Sequence, residues 1–300
     1  MRVLITGASG FVGGAVAAAA LEAGHEVVGL VRDPVRATRA AGADLRRGDM
    51  LDPASYVPLV GEVDAVVHAA QLAVDGRLTR RRAERVFAAD GVMTTALADA
   101  CREQRKRFVY TAGCFDWGDR GEVWIDEDTP LDPSPMGVGH ARQAAVLDAM
   151  TDLDAVRVAP GFVYGPGGLF KQAFVDQARA GRLRCLGRGT NWWSCVHVDD
   201  LATAYLGALT DAPPRAAYAV ADEEPLRLRE LTDLTAAACG VGPVGTLPPA
   251  LGALFLGGTL TASLTTSFRI DPRRAREELG WRPRRPRFRD EVGEVVAATP

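Results

Sequence analysis

Apolar positions in the first half of the chain follow two alternating rhythms. Short runs dense in β-branched and other apolar residues, at 2–6, 26–31, 43–49, 63–69, 107–112 and 154–160, predict strands. Between them, 11–23, 34–41, 53–60, 77–104 and 138–150 carry the wider apolar spacing of helices. Strands that are continuously apolar belong to a sheet covered on both faces, so the alternation predicts a doubly wound, parallel α/β domain. The pattern changes after about residue 165. A helix near 168–180, a short strand at 194–198, a helix from Asp199 and a strand at 217–221 precede mostly helical segments broken by Pro and Gly.

The first strand runs into TGASGFVG, Thr6 to Gly13, and then into a helix. Gly7 permits the tight turn, Gly10 lets the backbone approach a pyrophosphate, and Gly13 lets the helix pack close to the strand. N–H groups at the helix start then face the anion, which makes Ser9, Phe11 and Val12 candidate contacts. This motif in this context predicts a Rossmann-like dinucleotide site, with the domain formed by 1–164 and 194–222. A smaller, mostly helical substrate-binding lobe is expected from 165–193 and 223–300. The second strand ends Val31-Arg32-Asp33. The planar fork of Arg32 suits a 2′-phosphate and favours NADP(H) over NAD(H). Asp49 and Met50, after the third strand, are placed near the adenine, although Asp49 could equally cap a helix.

Together these motifs resemble those of the extended short-chain dehydrogenase/reductase family, the NAD-dependent epimerase/dehydratase group. The likeness adds VDAVVHAAQ (63–71), APGFVYGPGG (159–168), CVHVDDLATAYLGAL (195–209) and DPRRAREELGWRPR (271–284). It implies that His68, Ala69 and Ala70 lie beside the cofactor ribose, and Pro160 and Val163 near the nicotinamide. The family uses a Tyr-x-x-x-Lys pair at the head of a helix and a hydroxyl after the fifth strand. Here SPMGVGHARQAAVL puts Met136 on the tyrosine position and His140 on the lysine position, and Gly113 stands where the hydroxyl is expected. No tyrosine in the chain has a lysine four residues later.

Methionine cannot move a proton, so the family's tyrosine-mediated carbonyl reduction is excluded on chemical grounds. His140 and Asp116 are the foremost catalytic candidates, followed by Thr111, Cys114 and Tyr164, with His140 also a ribose contact. For the substrate, Gln71, Phe115, Trp117, Met136, Lys171, Trp192 and Trp193 are candidates. The tryptophans lean towards a fairly apolar small molecule. Three readings follow: a redox enzyme without the usual tyrosine, a non-redox isomerase, cyclase or dehydratase on the same fold, and a sensor whose NADP(H) occupancy governs a partner.

Charge narrows the partners. Thirty-five basic against 38 acidic residues leave a net charge of −3, no electrostatic reason to invoke nucleic acid or an anionic membrane. All but two of the basic residues are arginine. Five widely spaced cysteines without a CxxC predict neither disulfides nor a metal site, and a cytoplasmic protein is expected. Gly7, Gly10, Gly13 and Gly14 interrupt the apolar start too often for a signal peptide. The family resemblance leaves a homodimer open.

Overall fold

A computed structural model of the chain describes residues 1–72 and 77–300. The chain enters through β1 (Arg2–Thr6), α1 (Phe11–Glu22), β2 (Glu26–Val31), β3 (Asp44–Arg47), β4 (Ala65–His68), α2 (Arg80–Glu103) and β5 (Arg107–Thr111). It continues through β6 (Trp124–Ile125), α3 (Val138–Ala149), β7 (Ala155–Pro160), β8 (Phe162–Tyr164), α4 (Gly168–Phe170) and α5 (Asp176–Arg179). Next come β9 (Cys185–Leu186), β10 (Trp192–Trp193), β11 (Cys195–His197), α6 (Val198–Thr210), β12 (Ala217–Val220), β13 (Leu226–Arg227) and α7 (Leu228–Ala238). The chain closes with β14 (Thr246–Leu247), α8 (Pro249–Leu256), α9 (Gly258–Leu264), β15 (Arg269–Ile270), α10 (Arg273–Glu278) and α11 (Phe288–Ala298).

Seven strands form one parallel sheet in the order β12-β7-β5-β4-β1-β2-β3. Period-two alternation splits its side chains between two cores. Val3, Ile5, Val67 and Val109 pack with α1 and α6 on one face. Leu4, Val66, Phe108 and Tyr110 pack with α2 and the C-terminal elements on the other. The strand order reverses beside β1, between β4 and β2, and there the strand ends open a crevice, the usual place for ligands in such sheets.

Two of the predicted helices are corrected. Segments 34–41 and 53–60 fold as short 3₁₀ turns, Pro34–Arg36, Thr38–Ala40, Pro53–Ser55 and Val57–Glu62. Each is too short and too interrupted by proline to nucleate an α-helix. The strand predicted at 194–198 forms as β11, but it pairs with β8 outside the central sheet. Trp192 and Trp193, predicted in a loop, form β10 and pair with β13.

The second aspartate of the VHVDD segment ties this fold's far end down. Asp200 is almost fully buried, and its carboxylate accepts the backbone N–H groups of Arg284 (2.9 Å) and Arg285 (2.8 Å). Its carbonyl accepts Trp281 Nε1–H at 3.0 Å. Two distant motifs of the sequence, VHVDD and LGWRPR, therefore form one structural clasp.

Candidate active site

Gly7 has φ +68°, and a Cβ there would come within 2.9 Å of Ala69 O and Ala70 Cα. A Cβ on Gly13 would fall 2.4 Å from Gly7 O. The turn is closed by Gly10 N–H donating to Gly7 O at 2.7 Å. Gly10 has no side chain to cap α1, so the first N–H groups of that helix are left for a ligand. A pyrophosphate fits this cradle because bare backbone lies where any side chain would intrude.

A cleft of about 520 Å³ opens over the cradle. Twelve of the predicted contacts line it: Gly7, Ser9, Gly10, Phe11, Val12, Gly13, Arg32, Asp49, Met50, Ala69, Ala70 and Gln71. Arg32 is exposed at its rim. Asp49 accepts Leu51 N–H at 2.9 Å, so it also shapes the turn after β3. Gln71, expected at the substrate, lies with the cofactor contacts instead. Pro160 ends β7 and Val163 lies in β8, outside this lining.

His68 is 1% exposed and has no face on the cleft. Thr6 Oγ1 accepts the N–H groups of Ala69 and Ala70, both at 3.1 Å, which uses its lone pairs. Its own hydrogen must therefore be donated to His68 Nδ1, 2.8 Å away. Nε2 of the same ring lies 3.3 Å from Asp90 Oδ1. Tyr110 OH donates to Asp90 Oδ2 at 2.8 Å. Burial opposes the charge on Asp90, yet the His68 and Tyr110 interactions bring its pKa below the usual carboxylate value. His68 thus supports the crevice floor from beneath. Asp90 had a legible signal: it falls on the apolar stripe of α2 with Val86, Met93 and Leu97, where a carboxylate needs partners.

His140 and Asp116 come together. Nδ1 of His140 lies 3.6 Å from Asp116 Oδ1, and Gly113 N–H donates to Asp116 Oδ2 at 3.3 Å. Asp116 is 2% exposed, and burial raises its pKa. Burial also works to lower the pKa of His140, but the carboxylates of Asp116 and Asp90 raise it on balance. The glycine at the expected hydroxyl position is part of this arrangement. A Cβ on Gly113 would sit 2.9 Å from His140 Nδ1, so a serine there would displace the imidazole. Loss of the hydroxyl and gain of a histidine–aspartate pair are one steric event.

The other candidates separate. Thr111 Oγ1 donates to His68 O at 2.8 Å and accepts Tyr205 OH at 2.7 Å, which occupies it structurally. Cys114 is buried, and desolvation pushes its thiol pKa up, away from a nucleophilic thiolate. Tyr164 is fully buried between Phe170, His197 and Phe288, with its pKa raised by burial, and has no surface for a substrate. Trp193 is corrected likewise: it is fully buried among Phe162, Phe174 and Phe268. Trp192 is stacked between Arg227 and Arg269, with guanidinium carbons 3.6 and 4.5 Å from its centroid. Lys171 is engaged by Asp176 at 2.8 Å. Trp117 is buried in the core, whereas Phe115 and Met136 remain half-buried near the head of α3. Met136 is held by its N–H, which donates to Ser263 Oγ at 3.0 Å; Ser134 Oγ donates to the same oxygen at 3.1 Å. Ser134 and Ser263 carried no signal in the sequence, because they lie 129 residues apart. Among the described residues no cluster of His, Cys, Asp and Glu could hold a metal ion. No helix there is long and apolar enough to cross a membrane.

The family model described as the NAD dependent epimerase/dehydratase family matches residues 3–221. A 3-diazoavenalumate denitrifying reductase of a Streptomyces species is 32% identical, over 98% of this chain and 99% of its own. A 2-alkyl-3-oxoalkanoate reductase of Stenotrophomonas maltophilia is 30% identical, over 80% and 76%. Among solved structures, the human epimerase family protein SDR39U1 with NADPH shares the fold at a TM-score of 0.82, with 21% identity and 99% of both chains covered. UDP-glucose 4-epimerase of Thermus thermophilus with NAD does so at 0.83, with 22% identity over 99% and 98%.

Proposed function

The chain belongs to the NAD-dependent epimerase/dehydratase family, and on that premise we propose that it is an NADP(H)-dependent reductase of a small, fairly apolar aryl diazo compound. One observation carries the reading. The phosphate cradle is intact, whereas the head of α3 offers a methionine where the family's reduction needs a phenol. A substrate that accepts hydride without an accompanying proton resolves that mismatch. The Streptomyces relative is named as a denitrifying reductase of a diazo compound, which supports this reading.

Bound NADPH would supply hydrogen together with its electron pair. In an arenediazonium the ring carbon takes that pair to form C–H, the carbon–nitrogen bond breaks, and N2 leaves with the electrons of the broken bond. No proton is consumed, so no acid is required at Met136. The chain's residues then have three tasks. The cradle fixes the pyrophosphate, Arg32 pairs with the 2′-phosphate, and Phe115 and Met136 present an apolar wall to the aryl ring. The test is anaerobic turnover of an arenediazonium acid with NADPH deuterated at the transferring carbon. One N2 per NADPH and deuterium on the ring carbon are expected. NADPH consumption that yields a hydrazine, without N2, would sink the proposal.

The His140–Asp116 pair supports a second reading, carbonyl reduction with cationic His140 as the acid, in line with the name of the Stenotrophomonas relative. The two readings predict different pH profiles. Because the His140 pKa is raised, its cation persists to higher pH, and a reaction that needs its proton declines as pH rises through that value. Diazo reduction should stay flat across the same interval. His140→Ala should leave diazo turnover within a few-fold, but cost ketone reduction about 100-fold or more, the usual contribution of a general acid.

The cofactor preference has its own check. Arg32→Ala should weaken NADPH by about 10-fold or more, the loss of one charge-assisted phosphate contact, and leave NADH nearly unchanged. Equal losses for both would remove the assignment to NADP(H).

A further inference from the structure

From the corner where α8 meets the start of α2, we propose that the protein docks on anionic lipid surfaces. Two independent features converge there. Leu251, Leu254 and Phe255, spaced i, i+3 and i+4 on α8, are 49%, 58% and 64% exposed. They form an apolar ridge that burial within this chain does not explain. Beside it, Arg77, Arg80, Arg81, Arg82 and Arg85 are all exposed. Arg80 and Arg81 open α2, whose first turn contains no acidic residue. Cations at that end oppose the helix dipole, and an anionic surface facing Arg80 and Arg81 would offset that cost.

The two features are physically joined. Leu78 N–H donates to Leu256 O at 3.1 Å, Arg77 Nη2 donates to Ala253 O at 3.5 Å, and a Cβ on Gly257 would be 2.5 Å from Leu78 O. Large apolar side chains flanked by arginines match the acyl and headgroup layers of an anionic bilayer. An acidic protein would satisfy the arginines but would not call for an exposed phenylalanine and two leucines. The net charge of −3 averages over the whole chain and conceals this local excess. The corner also connects to the active site: Gly257 leads into α9, whose Ser263 holds Met136. Docking here would set the substrate side of the molecule against a lipid phase in which apolar substrates dissolve.

The test is co-sedimentation of the full chain with phosphatidylcholine vesicles, with and without phosphatidylglycerol. Binding to the anionic vesicles alone, reversed by high salt, is expected. Leu254→Glu/Phe255→Glu and Arg80→Glu/Arg81→Glu should each weaken it by about 10-fold or more, in keeping with the contribution of single basic residues near a charged surface. Both pairs are exposed, and an unchanged thermal midpoint with unchanged NADPH titration would establish that the variants are folded. Failure of the parent protein to sediment, equal binding to neutral vesicles, or full binding by either variant would overturn the proposal. Binding instead to an acidic polypeptide of matched charge, with no vesicle binding, would assign the corner to a protein partner. None of these outcomes depends on which substrate is reduced.

Discussion

Gly13→Val is expected to abolish useful cofactor binding, with affinity for NADPH and NADH reduced on the order of 100-fold or more. The new Cβ would lie 2.4 Å from Gly7 O and 2.7 Å from Gly7 C, both backbone atoms of the cradle itself. No rotamer relieves a clash made by the Cβ, so α1 must lift or the Gly7 turn must open. Either movement withdraws the N–H groups that serve a pyrophosphate, each worth about 1.5–3 kcal/mol when bonded to charge. Overpacking adds a stability cost of about 1–3 kcal/mol. Gly293→Ala is the matched control: it lies on the exposed side of α11 with nothing within 4 Å of the added Cβ. It should bind cofactor normally and gain about 0.5–1 kcal/mol of stability from its reduced chain entropy. Calorimetric titration of the two variants checks both statements. Normal cofactor affinity in Gly13→Val would mean that the loop does not cradle the dinucleotide.

The second large effect is on stability. Asp200→Ala should cost about 3 kcal/mol, because it removes two part-buried hydrogen bonds to charge, from the N–H groups of Arg284 and Arg285, worth roughly 1.5–3 kcal/mol each. Asp200→Asn keeps one carbonyl oxygen and should lose about half as much. Denaturant melts followed by tryptophan fluorescence would report this directly, since Trp281 packs against the same clasp. Equal stability of all three proteins would show that the tail is held by Trp281 and its packing alone. Cofactor affinity should change far less than stability, which separates this aspartate from the catalytic machinery despite its place in a family motif.

The histidines illustrate how far residue type alone can be read. His68 belongs to a motif in the first half of the sheet, but its ring is buried, hydrogen-bonded to Thr6 and 3.3 Å from Asp90. His140, a foremost catalytic candidate, lies 3.6 Å from Asp116, and the absence of a side chain at Gly113 leaves room for that pair. Trp193 and Tyr164 have the chemistry of ligand contacts, yet packing on Phe162, Phe170, Phe174 and Phe288 consumes their surfaces. Residue type states what a side chain could do. Burial and neighbours select what it does.

Local order was written in the sequence because its causes are local. The strand and helix periods, the glycines that free the cradle, and Arg32 just after β2 act through neighbours a few residues away, so eleven residues expected at the cofactor could be named that line one cleft. The absence of a tyrosine at Met136 was equally legible, since chemistry that a side chain lacks cannot be restored by folding. Three features depended on the tertiary structure. Asp116 met His140 across 24 residues, Asp200 met Arg284 across 84, and Ser263 met Met136 across 127. These pairings arise from how the sheet, the helices and the C-terminal lobe pack together, and no short-range pattern encodes them. The charge at the start of α2 belongs with them: its arginines were visible one by one, but only the packing of α8 beside them made a surface.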